Sequence, residues 1–330
     1  MNSDAGTWSL NIPQTISAEA QQFLRGMKNP ALGPNFPHAD DAAGWAKVRA
    51  MAEQDGKAKS APLLARFGHV VTEQTIGGMR VLDIRPTGWT DNGTAAVYTH
   101  GGAHVMYSAE SSLGRAVVFA HTTGLRVFSI DYTVAPIAKY NQMSDEVVGV
   151  VRELVRGGQS LKKLVVFGDS SGGGLAAASI LKMRDQGVGL PAAAVLVSPW
   201  LDVTPSGDTE ATLHDADPNQ LYEKHGVFAA EAFAPPAEQR HPYASPVYGD
   251  FSKGFPPTLI QGGLKETLLS GFVRMYQALD AAGVPVKLDL YEGMIHNFQD
   301  RIFDCPESAL ARKKVRDFVA SFLGTGARTP

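Results

Sequence analysis

Short apolar runs separated by helix-length stretches constrain this chain more than any other feature. Ala95-Ala96-Val97-Tyr98, Arg126-Val127-Phe128-Ser129-Ile130, Leu164-Val165-Val166-Phe167, Ala193-Ala194-Val195-Leu196-Val197, Thr258-Leu259-Ile260-Gln261 and Val286-Lys287-Leu288-Asp289-Leu290 alternate with helical patterns near 110–123, 144–156, 173–186, 268–282 and 307–323. Apolar runs of this kind belong to strands buried on both faces, and the helices between them supply the crossovers that parallel strands require. The alternation therefore predicts an α/β fold around a mostly parallel sheet. Two further strand signals, near 68–75 and 79–86, come first.

Two segments depart from the rhythm. In residues 1–60, Ser17 opens a helical pattern through Phe23-Leu24 and Met27 that Asn29-Pro30 stops, and a second pattern covers Asp41 to Glu53. Residues 201–256 are rich in Pro, Asp, His and aromatic side chains with one or two short helical patterns, and read as an insertion over the sheet edge. Residues 61–200 and 257–330 form the α/β unit. The tail after Leu323 reads as frayed.

A chain of 330 residues, 44% hydrophobic, can bury a large core. Its formal charge of −3 offers no basic field for phosphate backbones or anionic lipid, so nucleic acid is not an expected partner. There is no basic segment followed by an apolar run at the N-terminus, and no stretch near the ~20 apolar residues of a membrane span. The expectation is a soluble, cytoplasmic protein. Cys305 is the single cysteine, which leaves no partner for an intramolecular disulfide or a zinc thiolate cluster, and it reads as a structural thiol near a helix start. His214-Asp215-Ala216-Asp217 is the one cluster that suggests a metal, and it reads as polar surface.

The chemistry-bearing motifs lie at strand ends. Gly168-Asp169-Ser170-Ser171-Gly172 follows a strand and precedes a small-residue helical run, the context of a nucleophile elbow with Ser170 exposed on a tight turn. A glycine-rich turn without chemistry would look the same. Gly168, Gly172 and Gly174 also match a dinucleotide loop, but about five strands precede them and none of the nine tyrosines has a lysine four residues on. Upstream, His100-Gly101-Gly102-Ala103 follows strand 95–99, where backbone amides could converge on an oxyanion. Donors are expected at Gly101 and Gly102, completed by Ser171, with His100 orienting the loop. His104, Met106 and Tyr107 are candidates for pocket wall or for packing.

His296 sits just after the last strand pattern, third in the chain order nucleophile, acid, base, and is the candidate general base. The acid should follow the strand 258–261, and Glu266 is the only carboxylate in Gly262-Gly263-Leu264-Lys265-Glu266-Thr267. Asp202, in Ser198-Pro199-Trp200-Leu201-Asp202, is its competitor or a carboxylate backing the site. Asp289 lies inside a strand and should point elsewhere.

Together His100-Gly101-Gly102, Asp131-Tyr132 with Ala135-Pro136, Gly168-Asp169-Ser170-Ser171-Gly172-Gly173, Ser198-Pro199-Trp200 with Asp202, and His296-Asn297-Phe298 resemble the bacterial hormone-sensitive-lipase-like (family IV) esterases of the α/β-hydrolase type. The resemblance covers the chain from about residue 60 onward. It implies an eight-stranded sheet flanked by helices, a helical cap made from residues 1–60 and 201–256, and hydrolysis of short-chain carboxylic esters without cofactor or metal. Pairing of two copies through the last strand and its neighbouring helix is plausible in such a family. Three departures stand out: Ala103 for a glycine, Glu266 for an aspartate, and Thr133 where an arginine is common. The expected reaction is acyl transfer through Ser170 on a small-molecule ester. A lactonase, deacetylase or amidase would use the same residues, and a non-catalytic small-molecule receptor on this scaffold would lose the base.

Overall fold

The computed structural model describes residues 8–219 and 221–324. Its strands are β1 (His69–Ile76), β2 (Met79–Pro86), β3 (Ala95–Thr99), β4 (Arg126–Ile130), β5 (Leu164–Asp169), β6 (Ala193–Val197), β7 (Thr258–Gly263) and β8 (Val286–Tyr291). They form one eight-stranded sheet in the order β1-β2-β4-β3-β5-β6-β7-β8. β2 pairs antiparallel with β1 and with β4, and every pair from β4 across to β8 is parallel. The helices are α1 (Ala18–Arg25), α2 (Ala42–Arg66), α3 (Leu113–Thr123), α4 (Tyr140–Arg156), α5 (Ser171–Asp185), α6 (Thr209–Thr212), α7 (Val227–Phe233), α8 (Leu269–Ala281), α9 (Phe298–Arg301) and α10 (Pro306–Leu323).

Side chains alternate across the central strands, so each strand feeds two cores. Val97, Phe128, Val166 and Ile260 pack with Val147 and Val151 of α4, Ile180 of α5 and Met275 of α8. Their sequence neighbours Ala96, Val127, Val165 and Leu259 pack on the other face with Ala116 and Ala120 of α3 and Val315 and Val319 of α10. A third cluster joins Ile16, Ala20 and Leu24 of the α1 region to Ile295, Phe298 and Ile302 behind β8. Ser17 caps α1 and also bonds Glu307 at the start of α10, with its amide and its hydroxyl each 2.7 Å from the carboxylate.

The helical pattern expected to end at Glu53 continues to Arg66, through Gly56 and Pro62. Those residues disfavour helix in isolation, and packing on α3 overrides them. Ser60 Oγ donates to Ser111 O at 2.8 Å and accepts the Gly114 amide at 3.1 Å. One consequence is that α2 crosses residue 60, so the segment ahead of the sheet ends in mid-helix. Helix α4 begins at Tyr140, earlier than the pattern near 144, where Tyr140 Oη donates to Glu238 at 2.8 Å. Cys305 caps α10 and is buried. Among the described residues no helix is long and apolar enough to cross a membrane. The tail expected to fray lies, beyond Gly324, outside the described residues.

Candidate active site

β5 ends at Asp169 and α5 begins at Ser171, so Ser170 makes the whole turn between them. Its φ of 55° and ψ of −130° lie in a region that costs an L-residue roughly 1–3 kcal/mol. Neighbouring backbone holds it there: Ser170 N donates to Val197 O, and Trp200 N donates to Ser170 O, both at 2.8 Å. A turn this tight brings Gly168 and Gly172 against other backbone. A Cβ on Gly168 would stand 2.3 Å from Gly172 O, and one on Gly172 2.1 Å from Thr99 O, so neither position admits a side chain.

Three loops meet at the carboxyl end of the sheet. Ser170 Oγ lies 2.9 Å from His296 Nε2, and His296 Nδ1 lies 2.7 Å from Glu266 Oε2. A carboxylate facing Nδ1 keeps the proton on that nitrogen, which leaves Nε2 as the acceptor for the serine hydroxyl. Glu266 is fully buried and its other oxygen is satisfied, accepting the Gly263 amide at 2.6 Å and the Ser198 hydroxyl at 2.8 Å. Ser198 Oγ in turn accepts the Asn297 amide at 3.1 Å. The longer glutamate is thereby fitted by folding back onto its own loop. Asp217 fixes that loop from outside, accepting the amide of Thr267 at 3.0 Å.

The expected oxyanion donors need correction at Gly101. Its amide donates to Asp169 Oδ1 at 3.0 Å and is not free for a ligand. Among the described residues the amides of Gly102, Ala103 and Ser171 have no protein acceptor. Gly102 and Ala103 have φ of 123° and 53°, which turns the loop over the serine, and His104 N donates to Ser171 Oγ at 3.0 Å to hold it. His100 is buried under this loop, with Nδ1 2.8 Å from Gly101 O and its ring stacked on Tyr132. Tyr132 Oη donates to His100 O at 2.5 Å. His100 therefore contacts loop backbone.

Asp169, quoted within a motif but given no role by sequence reasoning, is the hub. Its carboxylate accepts Tyr98 Oη at 2.5 Å, the Gly101 amide and Asn297 Nδ2 at 3.0 Å each, and pairs with Arg115. Burial, then the charge of Asp169, pushes the Tyr98 phenol well above its ordinary pKa. One side chain thus ties the loop at Gly101, the residue after His296 and the turn that carries Ser170. Ser198 and Asn297, both at positive φ, are further members that only the structure reveals. A polar residue beside each motif was the only signal available.

Asp202 is corrected too. It accepts Arg274 at 2.6 Å, Tyr248 Oη at 2.9 Å and Thr204, and makes no contact with Glu266 or His296, so it fixes the start of the insertion and does not back the site. Asp289 accepts Gln261 Nε2 at 2.9 Å and pairs with Lys314, away from the imidazole. Asp131 pairs with Arg80, and Thr133, which stands where an arginine is common in the resembling family, donates its amide to Glu146 at 2.7 Å. The His214–Asp217 cluster does not converge: His214 bonds Asp215 and Glu223, while Asp217 bonds the Thr267 amide.

A cavity of about 720 Å³ opens over Ser170 and His296, within the range of ligand sites. Phe23, Phe36, Lys59 and Leu63 enter its wall from before the sheet, and Leu221, Tyr222 and His225 from the insertion. Met106 and Tyr107 line it. His104 does not: its ring stacks on Phe233 at 3.7 Å, and burial lowers its pKa to about 3, so it is a neutral core residue. Phe228 packs edge-on to His38, and Tyr243 Oη bonds Asp185. Of the insertion aromatics Tyr222, Phe228, Phe233 and Tyr243, Tyr222 alone is in the wall.

The sheet order, the crossover helices and the strand-to-helix turn define an α/β hydrolase. The sequence family described by the α/β hydrolase fold matches residues 96–300. An acetyl-hydrolase of Streptomyces hygroscopicus is 30% identical over 77% of this chain and 84% of its own length. An esterase of Acinetobacter venetianus is 30% identical over 68% of this chain and 74% of its own. The crystal structure of esterase E25 superposes with a TM-score of 0.89 at 26% identity, covering 98% of this chain and 99% of that one. An esterase of the bacterial hormone-sensitive lipase family gives 0.80 at 27% identity, covering 93% and 99%. The chain belongs to this family, and it is a carboxylic ester hydrolase of the hormone-sensitive-lipase type.

Proposed function

We propose that Ser170 is the nucleophile, His296 the general base and Glu266 the acid of a two-step acyl transfer on small esters. The single observation that carries the reading is the continuous chain Ser170 Oγ–His296 Nε2–His296 Nδ1–Glu266 Oε2, with links of 2.9 and 2.7 Å. Ser170 attacks the ester carbonyl while its proton passes to His296, and buried Glu266 stabilises the imidazolium. The amides of Gly102, Ala103 and Ser171, open to a ligand, hold the oxyanion. His296 then protonates the leaving alcohol, and a water activated by the same imidazole releases the acid.

A short acyl group is supported by the likeness to an acetyl-hydrolase. The intact base favours hydrolysis over the receptor alternative. Residues 1–60 and 201–256 act as the two parts of a cap, supported by the wall residues each contributes. The outer edge of β8 ends the sheet and is the surface through which two copies would pair; light scattering of the purified protein tests this. Ser170→Ala should lower hydrolysis of 4-nitrophenyl acetate by several orders of magnitude with an unchanged circular dichroism spectrum. Undiminished turnover would remove the assignment. A panel of acyl lengths from acetate to decanoate, together with a lactone and an acetanilide, tests the substrate range.

A further inference from the structure

The cavity wall carries two guanidinium groups, and only one is neutralised. Arg115 of α3 pairs with Asp169 and places Nε 3.2 Å from Asp300. Arg301, the last residue of α9, is five positions after His296 and lines the same cavity. Among the described residues no carboxylate forms an ion pair with it. Its side chain donates to a neutral acceptor, Asn219 Oδ1, and a guanidinium has five N–H donors to place.

Arg301 is exposed on the wall of the cavity, so its free N–H groups face solvent that a ligand can replace. Surrounding protein, and next the like charge of Arg115, push its pKa down. Asp217, Asp55 and Tyr107 offset this only at longer range. Asp55 is taken by Lys59 at 2.6 Å, and Asp217 by the Thr267 amide. Glu210, another ionisable group of the wall, is pushed up to about 7 by burial and nearby carboxylates, and among the described residues it forms no ion pair with Arg301. The guanidinium is therefore open toward the space the substrate fills, where a planar anion could take two of its N–H groups side by side.

We propose that Arg301 binds a carboxylate carried by the substrate, which makes this enzyme a hydrolase of small esters that bear a free carboxylate. The proposal rests on the reading of Ser170 as the reacting centre, because the two groups face one cavity. Arg301 is a specificity residue: it holds a remote group of the substrate and takes no part in the proton transfers.

Two matched pairs test it by pH-stat. Monoethyl succinate against ethyl butyrate places the carboxylate on the acyl side, and 3-acetoxypropanoate against propyl acetate places it on the alcohol side. In the wild-type enzyme one charged ester should exceed its neutral partner in kcat/KM by about tenfold or more, as a charge-assisted bidentate contact implies. That ratio should fall about tenfold in Arg301→Met, be partly kept in Arg301→Lys, and shrink with added salt. Ratios at or below one for both pairs in the wild type overturn the proposal whether or not a variant folds, and so does an unchanged ratio in Arg301→Met. Turnover of the neutral esters alone removes the carboxylate and leaves the hydrolase reading standing, whereas loss of turnover on all four esters counts against Ser170 chemistry itself.

Discussion

The rim of the sheet and the segments that lie over it are held by different forces. At the rim, loops after β3, β5, β6, β7 and β8 are joined by a dense set of directional bonds, with Asp169 and Glu266 each satisfied by at least three partners. Over it, residues of α1, α2 and the 201–256 segment form a mixed wall, with apolar or aromatic side chains such as Phe23, Leu63 and Tyr222 beside polar ones such as Lys59 and Glu210. Directional bonds fix atoms to fractions of an ångström, whereas apolar contact tolerates substitution of similar volume. The rim can therefore carry chemistry that demands geometry, and the cover can vary what is admitted.

Substitutions at the rim should show the largest effects. Ser170→Ala and His296→Ala should each lower kcat by about 10⁴-fold or more, read with 4-nitrophenyl acetate. Glu266→Gln should cost about 10³–10⁴-fold, because Nδ1 loses the charge that stabilises the imidazolium. A loss below tenfold at Glu266 would break the comparison, since the rim would then tolerate change as the cover does. Asp169→Asn should lower kcat by about 10–100-fold and stability by about 2 kcal/mol in urea melts, because Arg115 and the loop amide lose a shared acceptor.

Changes in the cover should be smaller and of another kind. Tyr222→Ala should shift acyl-length preference with less than about a tenfold loss on acetate, read from kcat/KM across the chain-length panel. Glu210 supplies a pH test. Its carboxyl is raised above the ordinary 4.5 to about 7 by burial, so the folded state prefers the neutral form. The penalty is absent below the ordinary value and complete above the raised one. Glu210→Gln should therefore raise the melting temperature at pH 8 and leave it nearly unchanged at pH 4. An equal shift at both values would show that packing, not charge, decides that position.

Legibility followed the same division. Strand positions could be read because burial on both faces writes continuous apolar runs, and each of the six core runs became a strand within one or two residues at its ends. Ser170, His296 and Glu266 could be named because the fold orders its loops along the chain. Gly101 could not be told from Ala103 as an open amide, since adjacent residues in one glycine-rich loop differ only in which way each N–H turns. Asp202 remained a competitor of the favoured Glu266 until the partners of each were seen, and α2 ran past two residues that disfavour helix because α3 lay beneath it.

By itself the amino-acid order determined the sheet, the helices that cross over it and the three residue types brought to its carboxyl edge. Those are consequences of periodicity and of a turn too tight for any side chain but hydrogen. Only the folded chain decided which amides stay open, which carboxylate reaches the imidazole and which arginine of the cavity wall has no carboxylate partner among the described residues. Each of these depends on distances between residues tens to hundreds of positions apart, and local sequence carries no record of them.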